Sequence, residues 1–148
     1  MKKIKVNRNS TITILNKKRS LLDNFQAEKI NYLKWVEFIE NHRDYFIWYE
    51  DTNDGKDVLH NINKVPEWAK EGVIYGLNKK IVYSTNKIVK NHFDLIIKYI
   101  ENEGIIKVDI EKKMSQKVGE IILKMSNYLE GKLIIDDSKE LEKIEQLD

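Results

Sequence analysis

Apolar and polar residues alternate along several short stretches of the chain, and these stretches predict β-strands. After Asn102-Glu103-Gly104, the apolar residues Ile106, Val108 and Ile110 alternate with charged ones that would point outward, which is the period of a half-buried strand. An aromatic run at 45–49 predicts a buried strand as well. Shorter apolar runs predict further strands, at 12–15 after a turn at 7–10 (a short hairpin with Val6, or a strand with a loose start), at 81–83 and at 133–135.

Residues 87–102 fit two patterns. Their polar side chains fall on one face of a helix, yet Phe93, Leu95, Ile97 and Tyr99 also alternate as they would in a strand. We favour a hairpin that turns at Gly104 and pairs this segment with the strand that follows. A helix over 87–102 is the alternative.

Helical spacing of apolar residues predicts helices in four other segments. The first begins at Ser20, which has capping-box spacing to Asp23, and ends near His42. The second starts around Pro66 and runs to about Asn78, with Gly72 and Gly76 spaced to let another backbone approach. The third is capped by Ser115 and followed by a left-handed Gly131, and the fourth is an acidic helix over 138–148. The apolar face expected for the first helix comprises Ile30, Leu33, Trp35, Val36 and Ile39.

These elements predict one α+β domain over residues 1–148, with a mostly antiparallel sheet and about four helices. Residues 50–64 are predicted to be a loop, with Asn53-Asp54-Gly55 as a turn in which Gly55 takes a positive φ. The content of 41% hydrophobic and 34% charged residues in a chain of 148 is that of a globular domain.

Composition excludes several classes of site. The chain has no cysteine, so it has no disulfide framework, thiolate metal site or cysteine nucleophile. No apolar signal region follows the basic start, and no stretch approaches the length of a membrane span. We therefore expect a cytoplasmic protein.

The net charge of +2 is distributed unevenly. The basic N-terminal segment 1–19 has seven positive side chains and no acid. Residues 44–57 have five acids against Lys56, and residues 136–148 have six acids against two lysines. Such asymmetry indicates oppositely charged partners or, alternatively, a solvated surface.

No pattern of catalytic or metal-binding residues is specific. Read as an EF-hand loop from Glu50, the sequence places Gly55 correctly but puts Asn61 where a bidentate glutamate is needed. There is no nucleophile elbow and no glycine-rich phosphate loop. Glu50 with Glu67 or Asp109 could form an acid/base pair, but acids this common are not diagnostic. The isolated histidines lack zinc spacing; they are His42, His60 and His92. We predict no catalytic residue, cofactor or metal, and an enzyme with an unrecognised site is left as an alternative.

A second alternative is a nucleic-acid-binding accessory protein. The basic N-terminal segment could neutralise phosphates, together with Lys79-Lys80, Lys87 and Lys90. Arginine is scarce, however, the domain is nearly neutral, and no stacking motif accompanies the lysines. Nucleic acid is therefore an unlikely partner, and no membrane partner is expected.

Aromatic residues on both sides of the acidic stretch favour a protein-binding module. Trp48, Tyr49 and Trp68 flank it, and aromatic anchors beside charge are typical of interface hot spots. The structural alternative is that the tryptophans lie in the core. The residues predicted to contact a partner are Glu50, Asp51, Asp54, Asp57 and Trp68.

Three runs, 44–56, 67–73 and 104–111, resemble those of small bacterial immunity proteins of contact-dependent inhibition and related polymorphic toxin systems. The resemblance implies a cytosolic, non-catalytic protein that binds one cognate toxin, often a nuclease, and blocks its active site. A nuclease has a cationic groove for its substrate, so the acidic surface would act as a decoy in that groove.

Overall fold

A computed structural model describes residues 3–19, 28–84 and 95–148. In this part of the chain, seven strands form one antiparallel sheet in the order β2-β3-β4-β5-β1-β6-β7. The predicted α+β class is confirmed. The strands are β1 (Ile12–Asn16), β2 (Phe46–Trp48), β3 (Ile81–Ser84), β4 (Leu95–Ile100), β5 (Ile105–Ile110), β6 (Gly131–Ile135) and β7 (Lys139–Leu141).

Four α-helices lie in the described residues: α1 (Tyr32–Glu40), α2 (Asn53–His60), α3 (Glu67–Gly76) and α4 (Gln116–Tyr128). Short 3-10 turns occupy Tyr49–Asp51, Ile62–Lys64 and Ile144–Gln146. The buried side chains of α1 and α4 join those of the central strands in a single hydrophobic core. Trp35 of α1, Ile97 of β4 and Ile122 of α4 are all fully buried there.

Several predicted elements are confirmed. The pattern that begins at Leu95 is a strand, and β4 and β5 pair as a hairpin from Leu95↔Ile110 to Ile100↔Ile105. Residues 85–94 lie outside the described residues, so the first part of the 87–102 prediction stays a prediction. Ser115 caps α4, because its side chain accepts a hydrogen bond from the Val118 amide at 3.2 Å.

Among the described residues, the first predicted helix is helical only over Tyr32–Glu40. Ser20 and Asp23 lie outside the described residues, whereas residues 28–30 are not helical and α1 starts after Asn31. The Asn31 side chain caps the helix by accepting a hydrogen bond from the Lys34 amide at 3.0 Å. Leu33, assigned to the apolar face, is 74% exposed because it projects away from the sheet.

Residues 50–64 are largely helical, and the predicted loop is wrong. Gly55 lies in the first turn of α2 and not in a turn with positive φ. A Cβ at Gly55 would overlap the carbonyl oxygen of Tyr49, so glycine is needed there for space. The idea that both glycines of α3 admit a close backbone is also wrong, because nothing lies within 4 Å of a Cβ built on Gly72.

The left-handed position after α4 belongs to Glu130, whose φ is 55°, and not to Gly131. Gly131 is the first residue of β6. A Cβ there would lie 2.9 Å from Cγ2 of Ile14 and 3.0 Å from the Leu15 carbonyl oxygen. Close packing against β1 therefore explains this glycine.

The acidic helix predicted over 138–148 is wrong as well. Residues 139–141 form β7, which pairs with β6 at Leu133↔Leu141, and only a 3-10 turn follows. Asp136 and Asp137, both with positive φ, turn the chain between the two strands. Pairing with an existing sheet edge has outweighed the helical spacing of the apolar residues.

The outer edge of β7 is covered by the side chain of Gln146. Its Oε1 accepts hydrogen bonds from the amides of Glu142 and Lys143, both at 2.7 Å. Its Nε2 donates to the carbonyl of Glu140 at 3.3 Å. The Gln146 carbonyl in turn accepts a hydrogen bond from the Ile4 amide at 2.6 Å, which attaches the N-terminal segment to this corner. Val6, the predicted hairpin partner of β1, instead accepts a hydrogen bond from the Met114 amide at 2.9 Å, and Ile4 bridges Leu147.

Candidate protein-binding surface

Between β2 and β3, which are neighbours in the sheet, the chain leaves and returns through residues 49–80, here called the helical insertion. It contains α2 and α3. The fully buried residue of α2 is Gly55 and that of α3 is Gly76; Val58 of α2 and Val73 of α3 are half-buried, so neither helix fully buries an apolar side chain. Surface helices normally bury an apolar stripe. Within the described chain, the insertion is therefore the part that most clearly exposes apolar side chains to solvent.

Local sequence explains how α2 begins immediately after the 3-10 turn. The hydroxyl of Thr52 accepts a hydrogen bond from the Gly55 amide at 3.0 Å and donates one to the Tyr49 carbonyl at 2.6 Å. Thr52 thus works as the N-cap. Asp54 lies in the first turn, where a negative charge is favourable to the helix dipole.

Two contacts fasten the base of the insertion to the rest of the fold. Oε2 of Glu50 accepts a hydrogen bond from the Lys79 amide at 2.7 Å, which joins the first and last turns of the insertion. The hydroxyl of Tyr75 donates to the Tyr99 carbonyl at 2.6 Å and accepts from the Glu101 amide at 3.0 Å. These bonds hold α3 against β4 although the helix buries little surface.

Asp51 belongs to a charged network beside this base. Arg43 contacts Glu40 at 3.2 Å and Asp51 at 3.4 Å, and Nζ of Lys79 lies 3.5 Å from Glu40. Nε1 of Trp48 donates to Glu40 at 2.9 Å. This hydrogen bond is the largest cause of the lowered pKa of Glu40, followed by an opposing effect of burial and then by the charges of Arg43 and Lys79.

Asp54 and Asp57 lie three residues apart on α2, and both are exposed. Among the described residues neither makes an ion pair within 4 Å. Asp54 lies near Tyr83 of the sheet. Burial raises the pKa of Tyr83, and the charges of Tyr49 and Asp54 raise it further. These two carboxylates are available to a cationic partner.

Trp68 is 88% exposed in the first turn of α3. Glu71 and Gly72 follow it on the same helical face, both exposed, and Gly72 adds no side chain. Leu59, at the other helix of the insertion, is 54% exposed. The expectation of core burial is thus met by Trp48, which is 1% exposed in the edge strand β2, and not by Trp68.

An open cleft of about 400 Å³, here called the corner cleft, lies where α2 turns into α3. Pro66, at the N-cap position of α3, forms one side of it. Trp68 follows two residues later. The lining residues are Asp57, Val58, Asn61, Lys64, Val65 and Pro66.

The five predicted contact residues are thus divided by the structure. Glu50 and Asp51 make internal contacts at the base of the insertion, whereas Asp54, Asp57 and Trp68 are exposed on its helices. The sequence reasoning missed Leu59 and the apolar lining of the corner cleft, because it treated this segment as a loop. Thr52, a residue typical of N-caps, was the signal for a helix there.

Some of the lysines on which the nucleic-acid alternative relied are engaged within the fold, and Lys87 and Lys90 lie outside the described residues. Lys80 is 7% exposed, and its Nζ lies 3.9 Å from the ring centroid of Tyr32 and 4.0 Å from Glu101. Lys3 donates to the Glu145 carbonyl at 2.6 Å, and Lys5 lies 3.9 Å from Asp148. The basic N-terminal and acidic C-terminal segments therefore lie side by side and partly cancel each other's field.

Within residues 3–19, 28–84 and 95–148, no three His, Cys, Asp or Glu side chains form a group that could hold a metal ion. Glu50, Glu67 and Asp109 lie on different elements, and Glu67 pairs with Lys70 at 3.2 Å. None of the described helices is both long and apolar enough to cross a membrane.

Comparison with known proteins gives no relationship to build on. Neither a protein-family model, nor a curated protein, nor a solved structure matches the chain significantly.

Proposed function

We propose that the chain is a non-catalytic protein-binding module whose helical insertion binds a basic partner protein. Most concretely, it is a cytoplasmic immunity protein that binds and neutralises a cognate bacterial toxin, as its sequence resemblance implies. The partner contacts are Trp68, Asp54 and Asp57. Glu50 and Asp51, which were also predicted as contacts, act on the insertion from its base.

The observation that carries this proposal is the exposure of Trp68 on a helix that fully buries no apolar side chain. A buried tryptophan removes about 150–250 Å² from water, worth roughly 4–6 kcal/mol at ~25 cal/mol per Å². The folded chain leaves most of this free energy unused. A partner that covers Trp68 would gain it, and tryptophan is among the residues most enriched in hot spots.

Exposed carboxylates on the helical insertion support a basic partner. Asp54, Asp57 and Glu71 are exposed and make no ion pair within 4 Å among the described residues. Such carboxylates accelerate the approach of a cationic surface. If the toxin is a nuclease, its substrate groove is cationic and suits this surface. The five lysines of residues 49–80 offset all but one of the six acids of the insertion, so the apolar contact supplies most of the affinity.

The test uses the product of the gene adjacent to the one that encodes this chain. We expect it to bind the purified chain by calorimetry, and co-expression of the chain to restore growth of cells that produce it. Trp68→Ala should raise the Kd at least about 30-fold. Leu33→Ala is the matched control, since Leu33 is also a highly exposed apolar residue but lies on α1. A Kd that changes equally little in both variants would refute the proposed surface.

A further inference from the structure

The corner cleft is a shallow, open depression whose backbone is held by its own hydrogen bonds. The Asn61 amide donates to the Asp57 carbonyl at 3.1 Å, and the Asn61 side chain donates to the same oxygen at 2.9 Å. The Lys64 amide donates to Asn61 at 2.9 Å and the Val65 amide to Ile62 at 3.1 Å. A corner held by its own hydrogen bonds costs a ligand little ordering entropy.

The lining of the corner cleft combines apolar walls with acceptor groups. Val58, Val65 and Pro66 supply the walls. The Asp57 carboxylate is exposed there and has no ion-pair partner within 4 Å among the described residues. One of the two N–H groups of the Asn61 side chain donates to Asp57, and the side-chain oxygen of Asn61 can accept a hydrogen bond from a ligand. Such a site suits an apolar side chain accompanied by a hydrogen-bond-donating cation.

We propose that the corner cleft receives an apolar side chain of the partner that is adjacent in sequence to an arginine or lysine. The apolar side chain contacts Val58, Val65 and Pro66, while the cation contacts Asp57. Trp68 follows Pro66 by two residues, in the first turn of α3. This assignment rests on the proposed function, because it names the part of the toxin that the insertion binds.

The proposal predicts that removing the charge of Lys64 and removing that of Asp57 change the affinity in opposite directions. Lys64 is the cation among the cleft residues, and it would repel a positive ligand. Replacing Lys64 by Gln should therefore tighten binding of a basic ligand by about 2-fold, while Asp57→Asn should weaken it by about 3-fold. An acidic ligand would respond to both variants in the opposite sense.

The experiment titrates the full, isotope-labelled chain with a blocked peptide, acetyl-Leu-Arg-Leu-Arg-amide, followed by nuclear magnetic resonance. We expect shifts concentrated at residues 57–66. Val58→Gln should weaken binding about 5-fold through loss of an apolar wall. Two control peptides are used. In one, both leucines are replaced by glycine, and in the other, both arginines are replaced by glutamate. Equal binding of either control peptide, or shifts centred elsewhere, would overturn the assignment of the cleft.

The same variants separate this inference from the proposed function. Asp137→Asn serves as the matched charge control, because Asp137 is exposed in the turn before β7, far along the sheet. If Trp68→Ala and Asp57→Asn weaken binding of the neighbouring gene product but Val58→Gln does not, the binding module stands and the cleft assignment is wrong. Weaker binding of that protein by all three variants supports both.

Discussion

Glu50 and Lys79 lie 29 positions apart in the chain, yet a hydrogen bond of 2.7 Å from the Lys79 amide to the Glu50 carboxylate joins them. Lys79 has a φ of 52°, and its carbonyl accepts a hydrogen bond from Tyr32 at 2.8 Å. The hydrogen bond between Glu50 and Lys79 thus joins the two ends of the helical insertion, where the chain leaves the sheet and returns to it. Glu50, which the sequence analysis predicted to contact a partner, therefore has a structural role in the fold.

Glu50→Ala should loosen the insertion without unfolding the sheet. Loss of a hydrogen bond to a charged acceptor costs about 1.5–3 kcal/mol, reduced by the partial exposure of Glu50. Amide hydrogen exchange should therefore accelerate in α2 and α3 and remain slow in β4 and β5. Glu71→Ala removes an exposed acid of the same insertion and should leave exchange unchanged. If both variants behaved alike, the closure at Glu50 would be unimportant.

The two glycines of the insertion should respond to alanine with opposite signs. Gly55→Ala forces a Cβ onto the Tyr49 carbonyl and should cost about 1–3 kcal/mol of unfolding free energy. Gly72→Ala meets nothing within 4 Å and should stabilise the helix by about 0.5–1 kcal/mol. Urea unfolding of both variants measures the difference. A stabilising Gly55→Ala would mean that α2 does not start where the structure places it.

A second pair of variants tests the end of α4. Glu130→Gly should raise the unfolding free energy by roughly 0.5–1 kcal/mol, because glycine adopts the positive φ there without steric cost. Gly131→Ala should lower it, since the new Cβ would crowd Ile14 and Leu15. If Gly131 itself occupied the left-handed position, as the sequence predicted, Gly131→Ala would also lose stability but Glu130→Gly would gain none. Thermal unfolding of Glu130→Gly therefore distinguishes the two assignments.

Glu40 should stabilise the fold only when it is ionised. Its pKa is lowered, chiefly by the hydrogen bond from Trp48, so its contribution is complete above the ordinary value of about 4.3 and is lost as the pH falls through the folded-state pKa. Glu40→Gln should therefore be less stable than the parent chain at pH 7. This difference should shrink below about pH 4 in denaturant titrations. A constant difference across that range would exclude ionisation as its cause.

Glu140 should act in the opposite sense. Burial raises its pKa, and a hydrogen bond with Glu142 and the charge of that residue add to the effect, opposed by Lys132 and Lys17. The ionised form is disfavoured on folding, so the penalty is present above the folded-state pKa and absent below about pH 4. Glu140→Gln should stabilise the chain at pH 7 and match it under acid conditions. A variant that is destabilised at neutral pH would contradict this account.

The parts of the fold that the sequence predicted are those whose local pattern and tertiary setting agree. The alternation at Ile106, Val108 and Ile110 fits β5, and the cap at Ser115 fits α4. Residues 138–148 show the opposite case. Leu141 and Ile144 have helical spacing, but the unpaired edge of β6 offered hydrogen bonds that no short helix could match.

The candidate surface was predictable only in part. The sequence does not distinguish an exposed carboxylate or tryptophan from one whose side chain is hydrogen-bonded or packed within the fold. Whether Asp51 is free depends on Arg43, and whether Glu50 is free depends on the return of the chain at Lys79. Such long-range geometry is not encoded in local spacing. The corner cleft was missed for the same reason, because it exists only once α2 and α3 are folded.

The amide of Gln146 has a consequence for assembly. Because it occupies the Glu140 carbonyl and the Glu142 amide, another polypeptide cannot add a strand beside β7 without first evicting this side chain. Growth of the sheet into a fibre from that side is thereby obstructed. Recognition at this end of the molecule must then use side chains rather than a shared backbone ladder.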